Sequence, residues 1–246
     1  MDLFKAYCIL VAVHLCKGSF GMKSSTWKRV KLDRDYLQSD QKAKDFYLTS
    51  KYLCAELCSR KSYCAVWCQD DSKTCTLSST IVSPNYVELS NEFVICYTKN
   101  RVDLIVGAIT YSSELQKPEN ARELTTDGIF LDSYGAIFWT IRTTNPWILF
   151  DLKQPATISG IWIRPHIGNN ECNEIELKIG NSKIDDGDFS RYEYFIPTSE
   201  PCPFGAGLVY LNRSIPKHGQ YISLLRRTES KTLRLYHIEV EGVYDP

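Results

Sequence analysis

The clearest regularity in the chain is alternation. ISGIWIRP (158–165), NEIELKIG (173–180), GQYISLL (219–225) and LRLYHIEVEG (233–242) each place apolar and polar residues in turn. That is the period of a half-buried β-strand. In YHIEVEG, Tyr236, Ile238 and Val240 fall on one side, and His237, Glu239 and Glu241 on the other. Turn residues separate the runs, and no heptad pattern or long amphipathic helix intervenes. From about Leu104 onward the pattern therefore predicts an antiparallel β-sandwich or barrel. The stretch TNPWILFDL (144–152) breaks the alternation, because Trp147–Leu152 is apolar toward both faces. Such a strand is expected to be buried on both sides. It is read as a wall of the core, so a ligand site has to come from the loops around it.

The first half has a different texture. In SKYLCAELC (50–58), Cys54 and Cys58 lie four apart, as do Leu53 and Leu57, so a helix would turn each pair the same way. Ser50 is placed to cap that helix. YCAVWC (63–68) and TCTLS (74–78) read as strands around the turn QDDSK, and EFVICY (92–97) supplies another. A helix pinned by disulfides onto a small sheet is the expected unit. The basic stretch KSSTWKRVKLDR (23–34) reads as a solvated leader.

The chain has 246 residues, 43% hydrophobic and 24% charged, which is ordinary globular composition for one or two domains. Its formal net charge is zero, against the basic excess of a nucleic-acid binder. Residues 1–21 place a Lys before an apolar run from Ala6 to Leu15, followed by Gly18, Ser19 and Gly21. This is the layout of a secretory signal peptide, and the run is too short for a membrane span. No later window is long and apolar enough to be one, so the expected product is secreted and extracellular.

Of ten cysteines, Cys8 and Cys16 would leave with the leader, and the eight that remain suit an oxidised protein. Cys54, Cys58, Cys64, Cys68, Cys75 and Cys96 cluster, whereas only Cys172 and Cys202 lie beyond and are expected to clamp two loops together. That asymmetry suggests a small stapled domain followed by one that buries its own core. A zinc site at the C-x3-C spacing conflicts with an oxidising compartment, and no His lies nearby to complete a mixed site. Six cysteines allow 15 connectivities.

The segment 25–99 resembles the PAN/apple family. The resemblance rests on C-x3-C in a helix, Cys64 opening a strand followed by Trp67, and then Cys75-x-Leu77. It implies Cys54–Cys75 and Cys58–Cys64 pairs, which leaves Cys68 to Cys96, and it implies a binding module. Residues 104–244 resemble the discoidin-like superfamily, which includes coagulation factor V/VIII C-type domains and fucolectins. ARELTTDG, TNPWILFDL, ISGIWIR, NEIELKIGNS, GQYISLL and LYHIEVEGV follow in that family's order. The implied fold class is mainly β: a small disulfide-rich α+β unit followed by a discoidin-like jelly roll with ligand-holding loops at one end.

A fucolectin would use a His and two Arg against the sugar, since cationic donors bind hydroxyls strongly. This sequence departs from that pattern. Trp139 stands where the His would fall, Leu149 replaces an Arg before the strand's Asp, and RPHIGNNEC (164–172) replaces a loop with adjacent cysteines. The candidate ligand residues are therefore Tyr134 and Trp139, as an aromatic platform beside Phe138, with Arg142, Arg164, His166, Asn169, Asn170 and Glu171 as donors and acceptors. The resemblance also implies a structural Ca2+ near the first loop with Asp127 as a ligand. The late-strand Glu of that site falls on His237, a poor partner for a hard cation. Asn212-Arg-Ser214 is an N-glycosylation sequon, expected in an exposed loop.

Signs of catalysis are lacking. His166, His218 and His237 are scattered, no G-x-S-x-G, H-E-x-x-H or P-loop occurs, and Asp185-Asp186 sits in the turn KIDDGD. The expectation is a non-enzymatic, lectin-like recognition protein for glycans or glycoproteins, raised in avidity by homo-oligomerisation. The alternatives are an adhesion or matrix component that binds other extracellular proteins, and a phospholipid-surface binder that inserts its loop aromatics.

Overall fold

The computed structural model describes residues 27–88, 90–117, 119, 121–130, 137–166, 174–196 and 208–246. Tyr134, Asn169, Asn170, Glu171, Cys172 and Cys202 lie outside them. The N-terminal part holds β1 (Trp27–Asp33), α1 (Arg34–Ser39), β2 (Lys44–Tyr47), α2 (Lys51–Arg60), β3 (Val66–Gln69), β4 (Thr74–Ser78), β5 (Ile81–Val82) and β6 (Phe93–Lys99). An antiparallel five-stranded sheet runs in the order β1-β6-β3-β4-β2.

Ser50 caps α2, its hydroxyl accepting the Leu53 amide. The helix buries Cys54, Ala55 and Cys58 against Trp67, Cys75 and Leu77, but it turns Leu53 outward at 41% exposure. The four-residue spacing of Leu53 and Leu57 therefore does not bring both to the sheet: Leu57 packs against the buried cluster and Leu53 does not. The disulfides Cys54–Cys75, Cys58–Cys64 and Cys68–Cys96 match the pairing expected from the PAN/apple resemblance. Cys54–Cys75 fastens the helix to β4, and Cys68–Cys96 links directly opposed residues of β3 and β6.

The basic stretch is not a leader from Trp27 onward. It forms edge strand β1, in which Val30 and Leu32 are buried and Lys28, Arg29 and Lys31 are exposed. Alternation hidden among cations wins here, and charges on an edge strand discourage further strand addition.

The remainder comprises β7 (Ile109–Ser112), β8 (Ile129–Phe130), β9 (Phe138–Trp139), β10 (Trp147–Pro165), β11 (Ile175–Gly180), β12 (Glu193–Tyr194), β13 (Val209–Arg226) and β14 (Arg234–Tyr244). Seven of these strands form one antiparallel sheet in the order β12-β11-β13-β10-β14-β9, with β7 also on β10. TNPWILFDL and ISGIWIRP are thus not separate strands. Both belong to β10, which bends at an irregularity between Asp151 and Ala156 where Lys153 takes a positive φ. Its first half pairs with β7 and the end of β13, and its second half with the start of β13 and β14. The two halves fold the sheet into a sandwich around one core, in which Ile148, Phe150, Ile161 and Ile163 of β10 meet Leu177, Leu224, Leu235 and Ile238.

Trp147–Leu152 is buried throughout, as its two-sided apolarity requires. Ile148 and Phe150 enter the core, while Trp147 and Leu149 pack outward under Phe189 and Tyr192. Gly187 has φ 83° and lies against the Trp147 indole, where a Cβ would sit 2.5 Å from the ring. The turn KIDDGD thereby closes over the sheet. The two halves of the molecule are joined by β5 pairing with β8. A bidentate Arg101–Glu239 ion pair adds to the joint, as does Asp103, whose carboxylate accepts the Ile105 and Val240 amides.

Candidate functional site

On the second half of β10, Trp162 and Arg164 point away from the core that Ile161 and Ile163 fill. On β14, Ile238 and Val240 enter the core as expected, but Tyr236 does not join them. The register between β10 and β14 slips between Arg164 and Pro165, so Leu235 takes the inward place. Tyr236 turns instead to the side of His237, against Phe130 and Arg164. One irregularity therefore overrides strict alternation.

The slip assembles a row of rings and cations. The Arg164 guanidinium lies 4.9 Å from the Tyr236 ring and 5.1 Å from that of Phe130. The Tyr236 hydroxyl sits 3.0 Å from His166 Nδ1, and the His166 amide donates to the Arg234 carbonyl. Arg234 stacks 3.8 Å over the Trp139 ring, which β9 places directly opposite it on β14. Cations over aromatic faces are favourable and hold both partners in place. Within the row, Trp139 Nε1 and Arg234 Nε are buried donors with no acceptor among the described residues. Trp139, Arg164 and His166 thus share one neighbourhood, bridged by Tyr236 and Arg234. Phe138 turns from it into the core. Arg142 is exposed on the segment whose Thr143 bridges Lys231, next to the Glu174–Lys231 and Glu174–Arg226 ion pairs.

Arg234, Tyr236 and Phe130 escaped the sequence reading. Arg234 was legible as an outward residue of β14, and the slip that brings Tyr236 beside it shows in the sequence only as a change of apolar phase between Leu233/Leu235 and Ile238/Val240.

Asp127 caps its own turn, accepting the Ile129 amide at 3.0 Å. Desolvation pushes its carboxyl up to about 6, against the downward pull of that amide and of His237. His237 is itself buried, with Nε2 3.2 Å from Glu239. Among the described residues no group of three or more His, Cys, Asp or Glu side chains is placed to hold a metal ion.

No protein-family model matches the chain, and no curated protein matches it. Several solved structures do. A fucolectin from the serum of the striped bass Morone saxatilis aligns at 17% identity and a TM-score of 0.48, over 70% of this chain and 57% of that one. The chain therefore spans little more than half of that lectin's length. A Streptococcus pneumoniae fucose-binding module aligns at 18% identity and a TM-score of 0.44, over 58% of this chain and 99% of that one. The lectin domain of lectinolysin, complexed with Lewis b antigen, aligns at 16% identity and a TM-score of 0.42, over 56% and 95%.

Proposed function

We propose that this is a secreted, non-catalytic recognition protein that binds glycans through the tip of its sandwich beside Trp139, Arg164, His166, Arg234 and Tyr236. The observation that carries this reading is the row of stacked rings and cations on one sheet end. A pyranose has an apolar face and a rim of hydroxyls, and it needs aromatic surface beside directional donors. The row supplies both, already ordered by its own stacking. The disulfides fit an extracellular setting. The segments 25–99 and 104–244 are proposed as separate modules, the first a binding module of PAN/apple type.

A glycan array probed with the secreted chain tests the reading. Signal for a defined glycan class, lost in Arg164→Ala and Trp139→Ala, is the expected result. A folded protein that binds no glycan would sink it. Sedimentation with anionic vesicles and sugar-insensitive capture of extracellular proteins are the outcomes that would instead favour the membrane-surface and adhesion readings.

A further inference from the structure

The N-glycosylation sequon lies in strand β13 rather than in a loop. Asn212 is paired with Gly160 of β10, and then the ladder opens: four residues, 213–216, stand against the single Ser159 before pairing resumes at Lys217. Within that arch Ser214 is exposed and Ile215 is 77% exposed, so the Asn-Arg-Ser sequon is presented to solvent.

What surrounds Asn212 is unusual for a solvated strand face. Two residues back on the same strand, and so on the same face, stands Tyr210. Its ring stacks on Trp162 at 4.4 Å, and its hydroxyl donates to Glu241 Oε2 at 2.5 Å. The Trp162 indole N–H reaches the other oxygen of the same carboxylate at 3.5 Å. The Tyr210 edge fills the space above Gly160, where a Cβ would meet the hydroxyl oxygen at 2.6 Å and ring carbons at 2.7 and 2.9 Å. Gly160 is the direct cross-strand partner of both Asn212 and Glu241. One face of the Tyr210 ring is therefore taken by Trp162, and the other looks over the row that Asn212 begins. Tyr210 is 38% exposed, and Val243, outward on β14 beyond Glu241, is 70% exposed.

We propose that Asn212 carries an N-linked glycan whose first N-acetylglucosamine packs its apolar face on the free side of Tyr210, with Trp162 behind it. Positions i and i+2 of a strand are about 6.5 Å apart, which brings a pyranose linked to the Asn amide level with the ring. The carbohydrate then shades an aromatic and aliphatic patch that would otherwise face water. It also keeps this sheet face from serving as a docking surface. The inference requires passage through the secretory route. It does not depend on glycan recognition at the sandwich tip, which the array tests separately.

The test uses the full chain secreted from cultured animal cells. Peptide mapping before and after enzymatic deglycosylation should find Asn212 occupied. Thermal unfolding is then compared for the wild type, Ser214→Ala, Tyr210→Ala and the double variant. Loss of the sequon should lower Tm by about 2–4 °C in the wild-type background and leave the Tyr210→Ala background unchanged. Trimming to a single N-acetylglucosamine should retain the gain. Independently of any variant, nuclear Overhauser contacts are expected between that sugar and the Tyr210 ring protons. An unoccupied Asn212, equal shifts in both backgrounds, or an occupied site without sugar–Tyr210 contacts would overturn the proposal.

Discussion

Leu149 shows how a single side chain separates scaffold from site. It is fully buried among Trp147, Phe189 and Leu225, on the face of β10 opposite the main core. Leu149→Ala should cost roughly 2–5 kcal/mol by chemical denaturation, since the transfer loss and the cavity add. Leu149→Arg should be worse, because it forces a longer, charged side chain into a closed cluster of apolar and aromatic rings. Glycan binding by the residual folded Leu149→Ala protein should be unchanged. The opposite profile belongs to Trp139 and Arg164. Replacing either with Ala should weaken binding by about 10- to 100-fold, the cost of one or two directional contacts, while Tm moves by only a few degrees. Titration calorimetry on a glycan identified by the array reads both numbers.

Strands carry the next level of meaning, and β14 most of it. Its outward residues meet the joint between the two halves of the molecule. Hydrogen bonds from His237 and Arg101 overcome desolvation and hold Glu239 down at about 2. Burial, and then the Glu239 charge, push Asp103 up to about 6. The signs oppose. Asp103 holds its proton more tightly folded than unfolded, so its ionisation removes stability as pH rises from about 4 to about 6. Asp127, raised by desolvation, acts in the same sense. Glu239 contributes stability above its ordinary value of 4.5, and that contribution is lost as pH falls toward 2. Tm should therefore peak near pH 4 and fall on both sides. Asp103→Asn should flatten the neutral side, because an amide oxygen can still accept the Ile105 and Val240 amides. A Tm that stays level between pH 5 and pH 7 in the parent protein would contradict this account. In the other half, reducing Cys54–Cys75 should destabilise by about 2–4 kcal/mol and release α2 from β4 first, read by hydrogen exchange.

For the whole molecule, the ion pair between Arg101 and Glu239 is the bolt. Arg101→Ala leaves a buried carboxylate with only His237, and should cost about 3–5 kcal/mol together with protease sensitivity around residues 100–108. How far this architecture could be read in advance follows from the kind of signal each part carries. The α2 cap, strands β3, β4 and β6, and the doubly buried Trp147–Leu152 all rest on local periodicity, and local periodicity is written in the sequence. The joining of TNPWILFDL and ISGIWIRP into one strand, the recruitment of Val30 and Leu32 into β1, and the turn of Tyr236 toward Arg164 depend on partners far along the chain. So does Arg234 on Trp139. For the proposed site this means that Trp139, Arg164 and His166 could be named one by one from the sequence, whereas the stacking that brings them together could not.

The bend shared by β10 and β13 has a consequence for how the chain reaches this state. The pairs Trp147↔Leu225 and Ile163↔Val209 tie together residues many tens of positions apart. Because the same two strands furnish both layers, neither layer can be completed while the other is missing. Such remote pairing makes acquisition of the native state slow, on the order of milliseconds to seconds once the cysteines are joined. It also makes loss of the sandwich all-or-none, so a polypeptide severed at the corner near Lys153 should keep neither layer.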